Sequence, residues 1–158
     1  MGKITDLKSA ELDFKKAKST LLGFVKKQIQ PYPPYSSKTV NGRPLYYYAR
    51  KNLLNKIKIP TNEVEIYSIE NIGKKVIFGK KLLEMVRNRI GLVVGDFRQE
   101  EILKIWNGKI DMDSVYQAIS LTVNCSSGTY MRFLANSFGE KIGIPSLALS
   151  IKRTSVGD

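Results

Sequence analysis

The chain contains no histidine among its 158 residues. A Ser-His-Asp triad, a histidine-ligated zinc site and an imidazole general base are therefore excluded from this stretch of sequence. The single cysteine, Cys125, has no partner for an intrachain disulfide and cannot form a multi-cysteine metal site. Because Cys125 ends an apolar segment, we interpret it as a buried structural thiol rather than a reactive one.

Long apolar segments and acidic residues are also scarce. No run approaches the roughly 18 apolar residues of a membrane span, and the first residues lack the apolar core of a signal peptide. We therefore expect a cytoplasmic protein without a membrane partner. Fourteen acidic residues against 26 lysines and arginines leave a net charge of +12. This excess favours a polyanionic partner such as nucleic acid, although many basic proteins bind none.

What is present predicts one domain spanning residues 1–158, since 42% apolar residues suffice for a core. Apolar residues recur every three or four positions from Leu7 to Val25, which predicts a long amphipathic helix within residues 1–30. Its lysine-rich face either contacts a polyanion or is simply solvated. Pro31, Pro33 and Pro34 then predict a rigid extended strap at the surface.

The rest of the chain predicts a mixture of strands and helices. Alternating residues predict strands at 63–69, 75–78 and 116–125, and helical spacing predicts helices at about 80–89 and 98–106. We expect Asp96 to cap the second of these helices and Asn107-Gly108 to end it. The order indicates an α/β (α+β) fold with a mixed, largely antiparallel sheet and flanking helices.

The segment Cys-Ser-Ser-Gly-Thr-Tyr-Met-Arg at 125–132 is the most informative motif. It follows the last predicted strand, and Ser127 or Thr129 is a candidate cap for a final helix. Arg132 then lies in the first helical turn, where unpaired backbone N–H groups favour negative charge. A guanidinium is suited to that position when a carboxylate or phosphate lies nearby.

A second segment, residues 32–50, interleaves tyrosines with cations, including Lys38, Arg43 and Arg50. This composition is suited to stacking bases while neutralising phosphates. The alternative is a hydrophobic anchor, in which residues 45–50 begin a helix whose tyrosines pack inward. We expect the second arrangement for at least one or two of these tyrosines.

Together, residues 125–132, 139–143 and 150–157 and the segment Tyr-Pro-Pro-Tyr-Ser-Ser-Lys at 32–38 resemble TruB-type tRNA pseudouridine synthases. The resemblance runs from about residue 21 to 157 and covers the C-terminal portion of that catalytic domain. It implies a partial pseudouridine synthase fold, with 31–60 as a thumb-like RNA-contacting segment and 61–158 as the second half of the sheet and helices. The implied activity is isomerisation of a T-arm uridine, at position 55 of the tRNA, without metal or cofactor.

The resemblance also assigns roles to individual residues. Arg132 matches the arginine that pairs with the family's nucleophilic aspartate, and Ile151 matches an aliphatic residue that lines the pocket, although a core position is an equal alternative. The residues implied in RNA binding are Tyr35, Lys38, Arg43, Arg50, Lys152 and Arg153. The family commonly carries its lysine one position after Lys38, where this chain has Thr39.

The family's nucleophilic aspartate lies in a glycine-leucine-aspartate-proline type segment that these residues do not contain. None of the aspartates here is followed by proline; they are Asp6, Asp13, Asp96, Asp111, Asp113 and Asp158. We also assign the family's active-site tyrosine to none of the eight tyrosines. We therefore expect this chain alone to be inactive and monomeric, with tRNA as its partner. The alternatives are a non-catalytic tRNA-binding module, the C-terminal half of a split enzyme, or a mis-started fragment that aggregates.

Overall fold

The computed structural model describes residue 4, residues 11–95 and residues 98–157. A three-stranded antiparallel sheet and a two-stranded hairpin organise this part of the chain. In chain order the elements are α1 (Phe14–Leu22), β1 (Lys27–Pro31), β2 (Thr39–Val40), β3 (Arg43–Pro44), α2 (Leu45–Arg50), a 3-10 turn (Leu54–Lys56), β4 (Thr61–Phe78), α3 (Gly79–Gly91), α4 (Gln99–Lys109), β5 (Val115–Cys125) and α5 (Met131–Ile142). The expected α/β fold with an antiparallel sheet and flanking helices is confirmed.

The central strand of the larger sheet is β4, which pairs with β1 on one side and β5 on the other. The prediction of two separate strands at 63–69 and 75–78 was wrong, because β4 continues through both. The ladder to β5 shifts register between Glu70 and Gly73, and Asn71 adopts a positive φ of 50° there. A bulge absorbs these polar, turn-like residues without ending the strand.

Within the described residues, the first helix is shorter than the helix that the sequence predicted. Asp13 caps α1 by accepting a hydrogen bond from the backbone N–H of Lys16 at 3.0 Å, and α1 ends at Leu22. Val25 lies beyond α1, and Lys27–Pro31 form β1 instead of helix. β1 is an edge strand, so Pro31 at its last position costs no central ladder hydrogen bond. Leu7 and Ala10 lie outside the described residues.

Two apolar clusters form the core of the described residues. One joins α3 to α4 through Val86, Ile90 and Trp106. The other packs α1 and α5 on the sheet through Leu21, Ile66 and other residues, namely Ala17, Phe24, Ile69, Leu134 and Phe138. Half-buried Cys125 packs against the second cluster, so the thiol is less buried than expected. The second cluster positions the loop between β5 and α5 over the sheet.

The remaining helices confirm the sequence expectation in type, with different ends. α3 and α4 cover the segments predicted as helices, and α4 continues through Asn107 and Gly108 to Lys109. Tyr130 is the N-cap of α5 and supplies no side-chain cap, so Ser127 and Thr129 do not fill that role. The proposed capping role of Asp96 lies outside the described residues.

Candidate functional site

The end of β1 meets the start of α5 although they are far apart in sequence. The side-chain Oε1 of Gln30 accepts a hydrogen bond from the backbone N–H of Tyr130 at 2.8 Å, across 100 residues. The rings of Tyr32 and Tyr130 pack edge to face, with centroids 5.9 Å apart. The two segments singled out in the sequence, 32–38 and 125–132, are therefore brought together.

A shallow cavity of about 390 Å³ opens where these two segments meet. It is lined by Tyr32, Ser36, Ser37, Lys38, Thr39 and Tyr130. The ammonium of Lys38 lies 5.0 Å from the centre of the Tyr32 ring, within cation–π range. The cavity thus combines two aromatic rings, hydroxyl groups and one cation.

Arg132 is the second residue of α5, and its side chain is exposed. Within the described residues, the Arg132 guanidinium makes no ion pair or hydrogen bond. It is also not one of the residues that line the cavity. The guanidinium therefore remains open to a carboxylate or phosphate from elsewhere.

Asp13, Asp111 and Asp113 are the aspartates that the structure describes, and the first two accept local hydrogen bonds through their carboxylates. Asp13 caps α1, as given above. Asp111 accepts hydrogen bonds from the Ser114 hydroxyl at 2.5 Å and the backbone N–H of Asp113 at 3.0 Å, and these lower the pKa of the Asp111 carboxyl. None of the three pairs with Arg132 in the described part of the chain. Asp6, Asp96 and Asp158 lie outside the described residues.

The predicted RNA-contacting arginines of the second segment lie on tyrosine rings. The Arg43 guanidinium is 4.4 Å from the centre of the Tyr47 ring, and the ammonium of Lys51 is 4.8 Å from the same ring. Arg50 lies 5.8 Å from the centre of the Tyr46 ring. These contacts leave the edges of the guanidinium groups able to donate to phosphate, whereas both rings already carry cations.

Tyr48 confirms the expectation that some tyrosines of this segment anchor it. Its side chain is buried, and its hydroxyl donates to the backbone carbonyl of Val40 at 3.0 Å. Tyr35 stays 52% exposed, with the Arg98 guanidinium 5.4 Å from its ring centre and donating to its hydroxyl at 3.3 Å. Tyr35 is thus available at the surface next to a cation that the sequence did not single out.

The last described segment, residues 144–157, has no helix or strand. Arg89 on α3 donates a hydrogen bond to the carbonyl of Leu149, and Leu149 packs against the core cluster of α3 and α4. Ile151 is 57% exposed, and Lys152 and Arg153 are exposed as well. The structure does not bring these three residues into the cavity beside Tyr130.

Sequence reasoning missed two contributors to this site. Gln30 falls at the end of the segment predicted as helix, and the sequence pattern assigns no role to Tyr130, which stands two residues before Arg132. The position of Tyr130 inside the diagnostic motif was the available signal. Gln30 carried none, because its role depends on a contact across 100 residues.

Two features are absent from the described part of the chain, namely a cluster of metal-ligating side chains and a helix that could span a membrane. No group of three or more histidine, cysteine, aspartate or glutamate residues is arranged there to hold a metal ion. The described helices also include none with the length and apolar character to cross a bilayer.

Comparison with known proteins adds independent evidence. Residues 1–76 match the family model described as TruB family pseudouridylate synthase (N terminal domain). A tRNA pseudouridine synthase B of Lactobacillus johnsonii is 30% identical over 129 residues, covering 81% of this chain and 32% of that relative. The enzyme of the same name from Desulfotalea psychrophila is 26% identical over 137 residues, covering 87% of this chain and 41% of that relative.

A third relative, the tRNA pseudouridine synthase B of Idiomarina loihiensis, is 26% identical over 159 residues and covers 99% of this chain. This chain spans 37% of that relative, so it spans well under half the length of the curated relatives described here. The family model covers the segment at 32–38, and the relatives extend the similarity over most of the chain. Residues 1–76 therefore match the TruB family of pseudouridylate synthases, and most of the chain is similar to enzymes named tRNA pseudouridine synthase B.

Proposed function

We propose that this chain is the RNA-gripping, arginine-bearing part of a tRNA pseudouridine synthase that isomerises a uridine of the T-arm. The main support is the contact between the two segments, in which Tyr130 meets both Gln30 and Tyr32. The names of the relatives supply tRNA as the substrate class. The net charge of +12 agrees with a polyanionic partner.

The reaction conserves every atom of the nucleotide. The bond between N1 of uracil and C1′ of ribose breaks, the base rotates, and C5 bonds to C1′ while the proton on C5 is lost and N1 gains one. The base has to leave its stack to react. The Tyr32 and Tyr130 rings suit contact with a flat base, and Lys38 beside Tyr32 suits the adjacent phosphate.

Arg132 supplies a cation for the nucleophilic carboxylate that the family uses. A guanidinium beside that carboxylate holds it ionised and oriented. None of the described carboxylates pairs with Arg132, so the carboxylate has to be supplied from outside the described residues. We therefore expect negligible isomerisation by this chain alone.

The test is incubation of the purified chain with unmodified tRNA, followed by mapping of pseudouridine along the RNA. A parallel reaction adds a separately produced segment of the Lactobacillus johnsonii relative that carries the family's aspartate motif. We expect no pseudouridine from the chain alone and T-arm pseudouridine from the mixture. Arg132→Lys is the control, since it keeps the charge but loses bidentate hydrogen bonding. It should lower the amount of pseudouridine that the mixture forms. Pseudouridine formed by the chain alone would contradict the proposal.

A non-catalytic tRNA-binding module is the second candidate. It is supported by the cations held on Tyr46 and Tyr47, which suit phosphate contacts without chemistry. Salt-sensitive tRNA binding with no pseudouridine, even in the mixture, would favour it. A monomer in the cytoplasm remains our expectation for either candidate.

A further inference from the structure

Gln30 is a polar side chain in a position that normally takes an apolar one. It is 0% exposed, and among the described residues it is the one polar side chain in the buried class. Its Oε1 accepts the backbone N–H of Tyr130 at 2.8 Å. Since that backbone group can only donate, the amide has to present its oxygen to Tyr130 and its nitrogen elsewhere.

The other half of the same amide is left without a partner. Gln30 Nε2 is buried and makes no hydrogen bond within the described part of the chain. A buried unpaired donor is unfavourable, and an apolar side chain of the same shape would avoid it. The same replacement would leave the Tyr130 N–H without its acceptor, so what a glutamine provides at this position is the bond to Tyr130.

That bond ties down the start of α5. Tyr130 is the N-cap of α5, where no side chain of the helix itself provides a cap. The loop before it is also fixed to the sheet, because the backbone N–H of Glu65 donates to the Ser126 hydroxyl at 2.8 Å. Arg132 follows Tyr130 by two residues, so the position of its Cα depends on how the N-terminus of α5 is held.

A second amide lies beside Gln30. Asn62 on β4 is the register partner of Gln30 on β1, so the two side chains share one face of the sheet. Asn62 Nδ2 lies 2.7 Å from the place where a Cβ on Gly128 would be. Gln30 and Asn62 therefore both contact the loop from Ser126 to Tyr130, Gln30 at Tyr130 and Asn62 at Gly128.

We propose that Gln30 is a positioning residue, which holds the N-terminus of α5 so that Arg132 and the Tyr130 ring face the RNA together. Gln30 acts through these two residues and does not itself touch RNA. The link to RNA rests on the proposed function above, whereas the link between Gln30 and Tyr130 does not. The two links are therefore tested separately.

The first measurement is by NMR on the full chain. A scalar coupling across the hydrogen bond, between the Tyr130 amide nitrogen and the Gln30 side-chain carbonyl carbon, should be detectable in the unaltered protein. Gln30→Met removes the acceptor and should speed hydrogen exchange of the Tyr130 amide about tenfold or more. Absence of the coupling, or unchanged exchange in Gln30→Met, would overturn the proposal.

The second measurement is a double-mutant cycle on tRNA affinity. Gln30→Met should weaken binding about fivefold, on the order of one hydrogen bond, and should have a smaller effect once Arg132→Ala is present, because only the part that acts through Tyr130 then remains. Equal losses in both backgrounds would show that Gln30 serves general stability and not the position of Arg132. If the unaltered chain binds no tRNA, the proposed function fails, while the coupling and exchange still decide whether Gln30 holds Tyr130.

Discussion

At the scale of single residues, the conformation of the loop between β5 and α5 requires a glycine at position 128. Gly128 has a φ of +80°, a backbone conformation that side-chain-bearing residues rarely adopt. Asn62 fills the space where a Cβ on Gly128 would lie. The backbone is therefore constrained at Gly128, four residues before Arg132.

Gly128→Ala should be more destabilising than an equivalent change elsewhere. We expect the free energy of unfolding to fall by about 1–3 kcal/mol from the left-handed backbone, with an added loss from the contact with Asn62. Gly42→Ala is the matched control, since Gly42 has a φ of +75° and no atom within 4 Å of its would-be Cβ. Chemical denaturation of both variants measures the difference. Equal decreases in the free energy of unfolding would show that the contact between Gly128 and Asn62 adds no cost.

Asp111 provides a residue-scale prediction on pH. The hydrogen bonds from the Ser114 hydroxyl and the Asp113 backbone lower the pKa of the Asp111 carboxyl in the folded chain. Because the folded pKa lies below the unfolded one, the ionised form contributes stability above the unfolded pKa, and this is lost as the pH falls through the folded pKa. Ser114→Ala should raise the Asp111 pKa in an NMR titration, with Asp111→Asn identifying its signal. An unchanged Asp111 pKa in Ser114→Ala would show that the Ser114 hydroxyl is not the main cause of the lowered pKa.

At the scale of elements, a small hairpin and a short helix form residues 39–50, which carry Arg43 and Arg50. β2 and β3 are joined by Asn41 and Gly42, both with positive φ, as in the two-residue turn typical of hairpins. α2 follows β3 directly, and the Tyr48 hydroxyl bonds back to Val40 on β2. Hairpin and helix therefore form one unit, on which Arg43 and Arg50 lie against tyrosine rings.

Tyr48→Phe tests whether this unit is held by that hydroxyl. Loss of the partly buried hydrogen bond to Val40 should lower the free energy of unfolding by about 1 kcal/mol. Tyr46→Phe is the control, because Tyr46 is 43% exposed, and its change should stay within about 0.5 kcal/mol. Thermal and chemical denaturation give both values. A neutral Tyr48→Phe would mean that apolar packing alone holds the hairpin to α2.

At the scale of the whole molecule, charge and topology act together. The net charge of +12 favours the approach of a polyanion from any direction, whereas the fold decides which cations lie near the cavity. Lys38 lies over Tyr32 at the cavity, and Lys141 lies over Phe24 with its ammonium 4.3 Å from the ring centre. The two lysines have the same chemistry at different places in the fold.

Comparison of these lysines should separate a local RNA site from general attraction. We expect Lys38→Gln to weaken tRNA binding and to reduce the slope of log affinity against log salt by about one. Lys141→Gln should change the slope little, since Lys141 lies nine residues along α5 from Arg132, about 14 Å away. Filter binding over a range of salt concentrations measures both slopes. Equal slopes for both variants would indicate diffuse attraction without a defined site.

Local pattern determined much of this molecule. Alternation over a few residues predicted β5, helical spacing predicted α3 and α4, and two short motifs indicated the family. These features depend on neighbours within about four positions, so they can be deduced without knowledge of the fold. The RNA-binding roles of Tyr35, Lys38, Arg43 and Arg50 stay predictions at this level.

Only the tertiary structure decided the remaining features, because each depends on partners far apart in sequence. Lys27–Pro31 became a strand since β4 offered an antiparallel partner, and β4 stayed one strand since its ladder to β5 absorbs a bulge. Gln30 became part of the site since its oxygen meets an N–H 100 residues away. A contact over that separation leaves no periodicity in the sequence, and packing alone determines where it forms.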